Sequence, residues 1–196
     1  MPNTTIGKGR LEAFSDGVIA VIITIMVLEL RVPSQPTLAA LLKVAPSLVS
    51  YVLSFMVVAI MWVNHHYMIH ATRQVTRRLL WLNVNLLFWM SLIPFVTDYM
   101  GKSHQQAMPV ALYGLTLTCC AMAFYWLRTE LICQVQDDPE MSAYHATVQR
   151  KNVFSALLYF SSIPLAYVSV YFSYLIFFGI TAAYFLPEKK LASESE

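Results

Sequence analysis

Long uncharged stretches recur along this chain, and they constrain its fold more than any other feature. Nineteen residues without a charge separate Arg78 from Asp98, and 36 separate Lys151 from Glu188. An α-helix needs about 20 mostly apolar residues to cross the hydrocarbon core of a bilayer, which is roughly 30 Å thick. The chain is therefore expected to be an all-α integral membrane protein.

The composition excludes an ordinary soluble domain. Of the 196 residues, 58% are hydrophobic and 12% are charged, whereas soluble domains carry about 25% charged residues. The net charge of +2 does not indicate a nucleic-acid partner. Cys119, Cys120 and Cys133 have no spacing typical of a disulfide framework or a zinc site.

The positions of the charges predict six transmembrane helices in a single domain, residues 1–196. The predicted helices cover approximately residues 10–31, 44–69, 79–100, 108–131, 152–168 and 172–187. The last two share one uncharged stretch of 36 residues, which as a single helix would be about 54 Å long. We therefore expect a tight turn near Ser169 to Ser173. The segment from Arg128 to Arg150 is predicted to be the longest polar loop, with a turn at Asp138-Pro139.

The distribution of basic residues predicts the orientation. With the N-terminus in the cytoplasm, ten of the 13 Lys and Arg residues fall on the cytoplasmic side, as the positive-inside rule requires. The three on the other side are Arg31, Lys43 and Lys102. Both termini of this multi-pass protein are thus expected to be cytoplasmic.

The first predicted helix is the least suited to contact with lipid. Only 12 uncharged residues separate Asp16 from Glu29, about 18 Å of helix. A carboxylate in hydrocarbon costs several kcal/mol unless it is paired or hydrated. We therefore expect this helix to lie in the protein interior.

Helical spacing places Gly17, Val21, Thr24 and Leu28 on one stripe of this helix, with Ile25 beside it. One interpretation is a helix contact face, with the Thr24 hydroxyl bonded to its own backbone. The other is a pore wall, in which Val21, Ile25 and Leu28 form a hydrophobic constriction that gates by dewetting, and Thr24 contacts a partly dehydrated ion. The periodicity alone does not choose between them.

The motif Arg10-x-x-x-Phe14-Ser15-Asp16, followed by Gly17 and by Thr24 eight residues after the aspartate, resembles the signature of the transmembrane protein 175 potassium channels. The resemblance implies a potassium-selective channel in the inner cell membrane of a prokaryote. It further implies a homotetramer with the first helix lining the central pore. The partners would be potassium ions, other copies of the chain and the lipid bilayer, with no cofactor.

The resemblance also implies roles for individual residues. Val21 takes the position of the family's narrowest layer, Ile25 and Leu28 form the next apolar layers, and Thr24 supplies the hydroxyl layer. The family more often has Ile or Leu at the position of Val21, so a wider constriction is expected. The motif residues would be structural anchors rather than ion ligands: Arg10, Phe14, Ser15 and Asp16.

Polar residues on the next two predicted helices are candidate partners for Ser15 and Asp16. They lie near cytoplasmic helix ends, at the depth of Asp16, and a buried carboxylate needs a hydrogen-bond donor there. The candidates are Asn64, His65 and His66 on the second predicted helix and Trp81, Asn83 and Asn85 on the third.

Other function classes have weaker support. His66 and His70 stand four residues apart, but no Cys or paired carboxylate completes a metal site. No catalytic motif of a membrane hydrolase or phosphate-binding loop is present, so an enzyme is not predicted. The main alternative is a proton-coupled secondary transporter that uses Asp16 and a histidine of the second helix.

Overall fold

A computed structural model of the chain describes residues 7–72, 74–134 and 139–185. Within these ranges the helices are α-helices joined by short turns and loops, and there is no strand. The helices are α1 (Lys8–Leu28), α2 (Leu38–Lys43), α3 (Ala45–His70), α4 (Arg77–Ser91), α5 (Ile93–Lys102), α6 (Ala107–Gln134), α7 (Pro139–Val168) and α8 (Val170–Phe185). Predictions that concern Arg73, Asp138, Lys189 and Lys190 lie outside the described residues.

Four segments are long and apolar enough to cross a membrane. They are α1, α3, the combined segment Arg77–Lys102 and α6, and residues 170–184 form a shorter apolar helix. The prediction of an all-helical membrane protein with several spans is confirmed at this level.

Two predicted helices differ from the structure in their extent. The first helix ends at Leu28 rather than at residue 31, and the residues from Glu29 to Pro33 are not helical. The third is interrupted at Leu92, where Pro94 stands in the first turn of α5. Proline has no N–H to continue the hydrogen-bond ladder and its ring clashes with the preceding turn, so α4 and α5 meet at a break.

The long polar loop predicted between Arg128 and Arg150 is wrong. Helix α6 continues to Gln134 and α7 begins at Pro139. Proline suits a first helical turn, where its missing N–H has no partner in any case. Polar contacts between the two helices also continue through this segment: Gln149 Nε2 donates to Thr129 Oγ1 at 3.2 Å.

Helices α7 and α8 form an antiparallel hairpin. The break between them is at Ser169, within the segment where the sequence predicts a turn. Ser173 Oγ donates to the Ser162 carbonyl at 2.7 Å near the turn. Farther from it, the Lys151 ammonium lies 4.3 Å from the centre of the Tyr184 ring.

Helix α6 is the centre of the bundle, and α1 is at its edge. Most of the α6 residues in the membrane-length segment are buried, and α6 packs against α4, α5, α7 and α8. Helix α1 packs mainly against α3, α4 and α5. The chain thus places α7 and α8 away from α1.

Candidate functional site

Helix α1 has one face packed against the rest of the chain. Ser15 is fully buried and Ile19, Ile22 and Met26 are at most 3% exposed, with Leu11 completing the buried row. These residues recur every three or four positions, so they form one continuous contact stripe against α3, α4 and α5.

The opposite face of α1 is open, and it carries the predicted pore stripe. Val21 is 54% exposed, Ile25 42% and Leu28 79%, and Gly17 and Thr24 are also exposed. The expectation that α1 lies in the protein interior is therefore wrong for a single chain, because three neighbouring helices cover only one side of it.

Thr24 bonds to its own backbone and also faces outward. Its hydroxyl donates to the Val21 carbonyl at 2.9 Å. A hydroxyl oxygen has two lone pairs besides its one donor hydrogen. The bond therefore leaves the Thr24 oxygen able to accept a hydrogen bond or to contact a cation on the exposed face.

A buried hydrogen-bond chain joins α1 to α4 and α3. Asn83 Nδ2 donates to Ser15 Oγ at 3.0 Å, and Asn83 Oδ1 lies 2.7 Å from His65 Nε2. The Ser15 hydroxyl donates in turn to the Leu11 carbonyl at 2.9 Å. Because Asn83 Oδ1 is an acceptor, His65 donates from Nε2. All three side chains are at most 1% exposed, so the chain fixes the position of α1 on its neighbours.

Asp16 is held by a residue that the sequence analysis missed. Trp62 Nε1 on α3 donates to Asp16 Oδ1 at 2.9 Å. The indole N–H is a donor only, and Trp62 lies three residues before His65, on the same side of the helix. The three-residue spacing from His65, together with the need of the Asp16 carboxylate for a hydrogen-bond donor, could have identified Trp62 from the sequence.

Four of the predicted partners do not reach the motif. Asn64 Nδ2 donates to the Ile60 carbonyl of its own helix at 2.8 Å. His66 stacks on His70 with ring centres 6.2 Å apart. Trp81 is 65% exposed, and Asn85 is half-buried. Of the six predicted partners, only His65 and Asn83 lie on the buried faces of their helices, and they form the chain that reaches Ser15.

The other two motif residues are not anchored within one chain. Phe14 is 55% exposed, and Arg10 is exposed with no polar partner among the described residues. Phe14 instead lines a groove of about 620 Å³ between α1 and α5, together with Val21 and Pro94. No three His, Cys, Asp or Glu side chains in the described part of the chain are close enough to hold a metal ion.

Known proteins that resemble this chain identify its family. The family model described as the endosomal/lysosomal potassium channel TMEM175 matches residues 10–94. A protein of Chryseobacterium sp. named as a potassium channel is 38% identical over 185 residues, which are 94% of this chain and 95% of that protein. This chain belongs to the TMEM175 family. A potassium channel of Streptomyces collinus is 33% identical over 96% of this chain and 98% of its own length.

A crystal structure of a TMEM175 relative has the same fold. It is described as a lysosomal potassium-selective channel TMEM175 homolog from Chamaesiphon minutus. It superposes with a TM-score of 0.81 at 25% identity and covers 90% of this chain and 95% of that one. TMEM175 is a family of ion channels rather than enzymes. The names of these relatives give no support to the alternative of a proton-coupled transporter.

Proposed function

We propose that four copies of this chain form a potassium-selective channel in which α1 of each copy lines a central pore. The observation that carries the proposal is the exposed stripe of Gly17, Val21, Thr24 and Leu28 on a helix whose other face is packed. Around a fourfold axis, four such stripes enclose a path through the membrane. Potassium then moves passively down its gradient.

The apolar layers form the constriction and gate. Rings of Val21, Ile25 and Leu28 surround the path with side chains that cannot hydrogen-bond to water. A narrow apolar ring empties of water and blocks ions, while a slightly wider one conducts. Valine is one methylene smaller than the Ile or Leu common in the family at this position, so Val21 forms the wider version of this layer.

Thr24 provides the polar layer between the apolar rings. Its hydrogen is committed to the Val21 carbonyl, so the oxygen presents lone pairs to a passing cation. Four hydroxyl oxygens replace only part of the hydration shell of an ion. Binding at such a site is shallow, so conduction stays fast and selectivity is modest.

The buried contacts of α1 set the rotation of the pore helix. The Ser15–Asn83–His65 chain and the Trp62–Asp16 bond approach α1 from α4 and α3. Together they hold the packed stripe inward, and the opposite stripe therefore faces the axis. Ser15 and Asp16 are structural anchors in this arrangement, whereas Arg10 and Phe14 lie where another copy would contact them.

In the membrane, each subunit has six spans with both termini in the cytoplasm. The hairpin of α7 and α8 supplies the last two spans. Helix α8 is only 16 residues long, but it is apolar and pairs along its length with α7. The lipid around it is the inner cell membrane of a prokaryote. The composition gives no reason to expect a nucleic-acid partner.

Flux measurements on purified protein in liposomes test the proposal. We expect potassium flux that needs no coupled ion and exceeds sodium flux. Val21→Ala should increase the flux and Thr24→Ala should lower the preference for potassium. Val168→Ala is the matched control, because Val168 is 74% exposed at the far end of α7. Saturable, proton-coupled uptake would contradict the channel, and a strictly monomeric particle in native mass spectrometry would contradict the pore.

A further inference from the structure

An apolar groove runs between α6 and α7 on the surface of the bundle. Its volume is about 340 Å³, and its walls include Met122 and Trp126 on α6 and Val153, Leu157 and Phe160 on α7. Leu157 is 63% exposed and Phe160 61%. On α6 the groove extends from Thr118 to Trp126, within a helix that is long and apolar enough to cross a membrane, so we place its apolar walls at the depth of lipid chains.

The groove is remote from the pore helix. Helix α1 packs mainly against α3, α4 and α5, whereas α7 packs mainly against α6 and α8. Whatever fills the groove is therefore not part of the ion path.

One end of the groove carries a positive charge. Gln149 Nε2 donates to the Tyr125 carbonyl at 3.2 Å, which places the adjacent Arg150 level with Tyr125 and Trp126. Arg150 is exposed and has no polar partner among the described residues. It precedes Val153 and Leu157 by three and seven residues, so it shares their side of α7.

The neighbouring basic residues are directed elsewhere. Lys151 lies over the Tyr184 ring on the α8 side, and Arg128 is buried beside His145, 3.2 Å from its Nδ1. Among the described residues at this end of the groove, Arg150 is therefore the basic residue that lies beside it. Tyr125 and Trp126 add the aromatic side chains that favour the interface between headgroups and lipid chains.

We propose that this groove is a binding site for an anionic phospholipid. An acyl chain lies along Met122, Leu157 and Phe160, and the phosphate pairs with the guanidinium of Arg150, whose fork of donors matches phosphate oxygens. The site does not depend on ion conduction. Its assignment to the cytoplasmic leaflet rests on the orientation proposed above.

Native mass spectrometry of the purified protein, in its native oligomeric form, tests the site. Phosphatidylglycerol and phosphatidylcholine are added at equal concentrations, and the lipid-bound fraction per subunit is measured. We expect phosphatidylglycerol to bind more strongly. Arg150→Gln should weaken it about fivefold, the factor that corresponds to about 1 kcal/mol for one basic residue at a membrane surface. Arg150→Lys should keep part of the preference.

Two further variants separate the site from general surface charge. Ala156→Leu fills the groove, whose wall includes Ala156, and should weaken both lipids. Arg77→Gln removes another exposed basic residue, on α4, and should leave phosphatidylglycerol binding unchanged. Equal binding of the two lipids, an unchanged Arg150→Gln protein, or an equal loss in Arg77→Gln overturns the proposal. Because binding is measured without flux, failure of the channel proposal would be seen separately.

Discussion

At the scale of single residues, the position of α1 depends on a few polar contacts in an apolar bundle. Ser15 and Asp16 are adjacent in sequence but point to different neighbours, Asn83 on α4 and Trp62 on α3. Two contacts about 100° apart around one helix fix its rotation as well as its position. Removing either one should therefore affect how α1 docks.

Replacing Trp62 by phenylalanine tests the bond to Asp16. An aromatic ring remains, but the N–H that donates to the carboxylate is lost. Both side chains are exposed, so solvent screens the bond, and we expect the free energy of unfolding in detergent to fall by about 0.5–1 kcal/mol. Trp81→Phe is the control, since Trp81 is 65% exposed. Equal stability of the Trp62 and Trp81 variants would show that the bond contributes nothing.

Replacing Asn83 by leucine tests the buried chain. The change keeps a similar volume but leaves His65, which is 1% exposed, without its acceptor. An unsatisfied buried polar group costs about 1–3 kcal/mol, so the midpoint of thermal unfolding should fall. Asn85→Leu on the same helix should have little effect. If adding Ser15→Ala to Asn83→Leu lowers stability by the full sum of the single effects, the two residues are not coupled.

The sequence predicted the depth of these contacts better than their identity. Asn83 and His65 were among six candidates at the level of Asp16, and four of the six face elsewhere. Depth follows from the position of a residue between flanking charges. Which side of α3 and α4 faces α1 depends on the packing of all the helices. The pattern of residues in a single sequence does not determine that packing.

At the scale of helices, prolines and close contacts determine where elements end and how near they approach. The break at Leu92 and the early end of α1 both precede a proline. The spans were predicted from the lengths of uncharged stretches, and those lengths do not reveal either feature. The polar segment around Arg128 was predicted as a loop because charge marks the end of a membrane span. Helices can continue beyond the membrane, so charge alone does not mark the end of a helix.

Gly114 allows the close approach of α6 and α7. A Cβ at this position would overlap the Ser162 hydroxyl oxygen and would lie 3.4 Å from the Tyr159 carbonyl oxygen. Overpacking of a tight contact typically costs about 1–3 kcal/mol, so Gly114→Ala should lower the unfolding temperature. Gly179→Ala is the matched control, since nothing lies within 4 Å of its added Cβ.

A second substitution provides a rescue. Ser162→Ala removes the oxygen that the new methyl group would meet, and the double variant should regain part of the lost stability. If Gly114→Ala behaves like Gly179→Ala, the contact between the helices is looser than the structure indicates.

At the scale of the whole molecule, the α1 helix gives the chain a packed side and an open side. The open side contains the α1 stripe, and the far side of the bundle carries the α6–α7 groove. The sequence identified the stripe from its spacing, because a helix repeats every 3.6 residues wherever it lies. It could not show that this stripe is the open one, since apolar stripes on buried and lipid-facing helices have the same composition.

The proposed orientation can be tested with cysteine labelling. Cys133 is exposed near the end of α6, on the side proposed as cytoplasmic, while Gln105 lies exposed in the turn before α6. A membrane-impermeant thiol reagent applied to intact cells should label a Gln105→Cys protein but not the unaltered protein. Reaction at Cys133 from outside would reverse the orientation, and labelling of Cys133 after permeabilisation is the positive control.

The two faces of α1 also constrain how this chain can evolve. In the proposed channel, Gly17, Val21, Thr24 and Leu28 occupy the surface through which copies meet and along which ions pass. A mutation in this stripe would change both properties at once, so we expect few substitutions to be tolerated there. Helices α7 and α8 pack mainly against α6 and against each other, away from the proposed pore, and are therefore expected to diverge more freely. New conductance properties are therefore expected to arise through few, paired changes on α1, while adaptation to a different lipid environment proceeds independently on the outer helices.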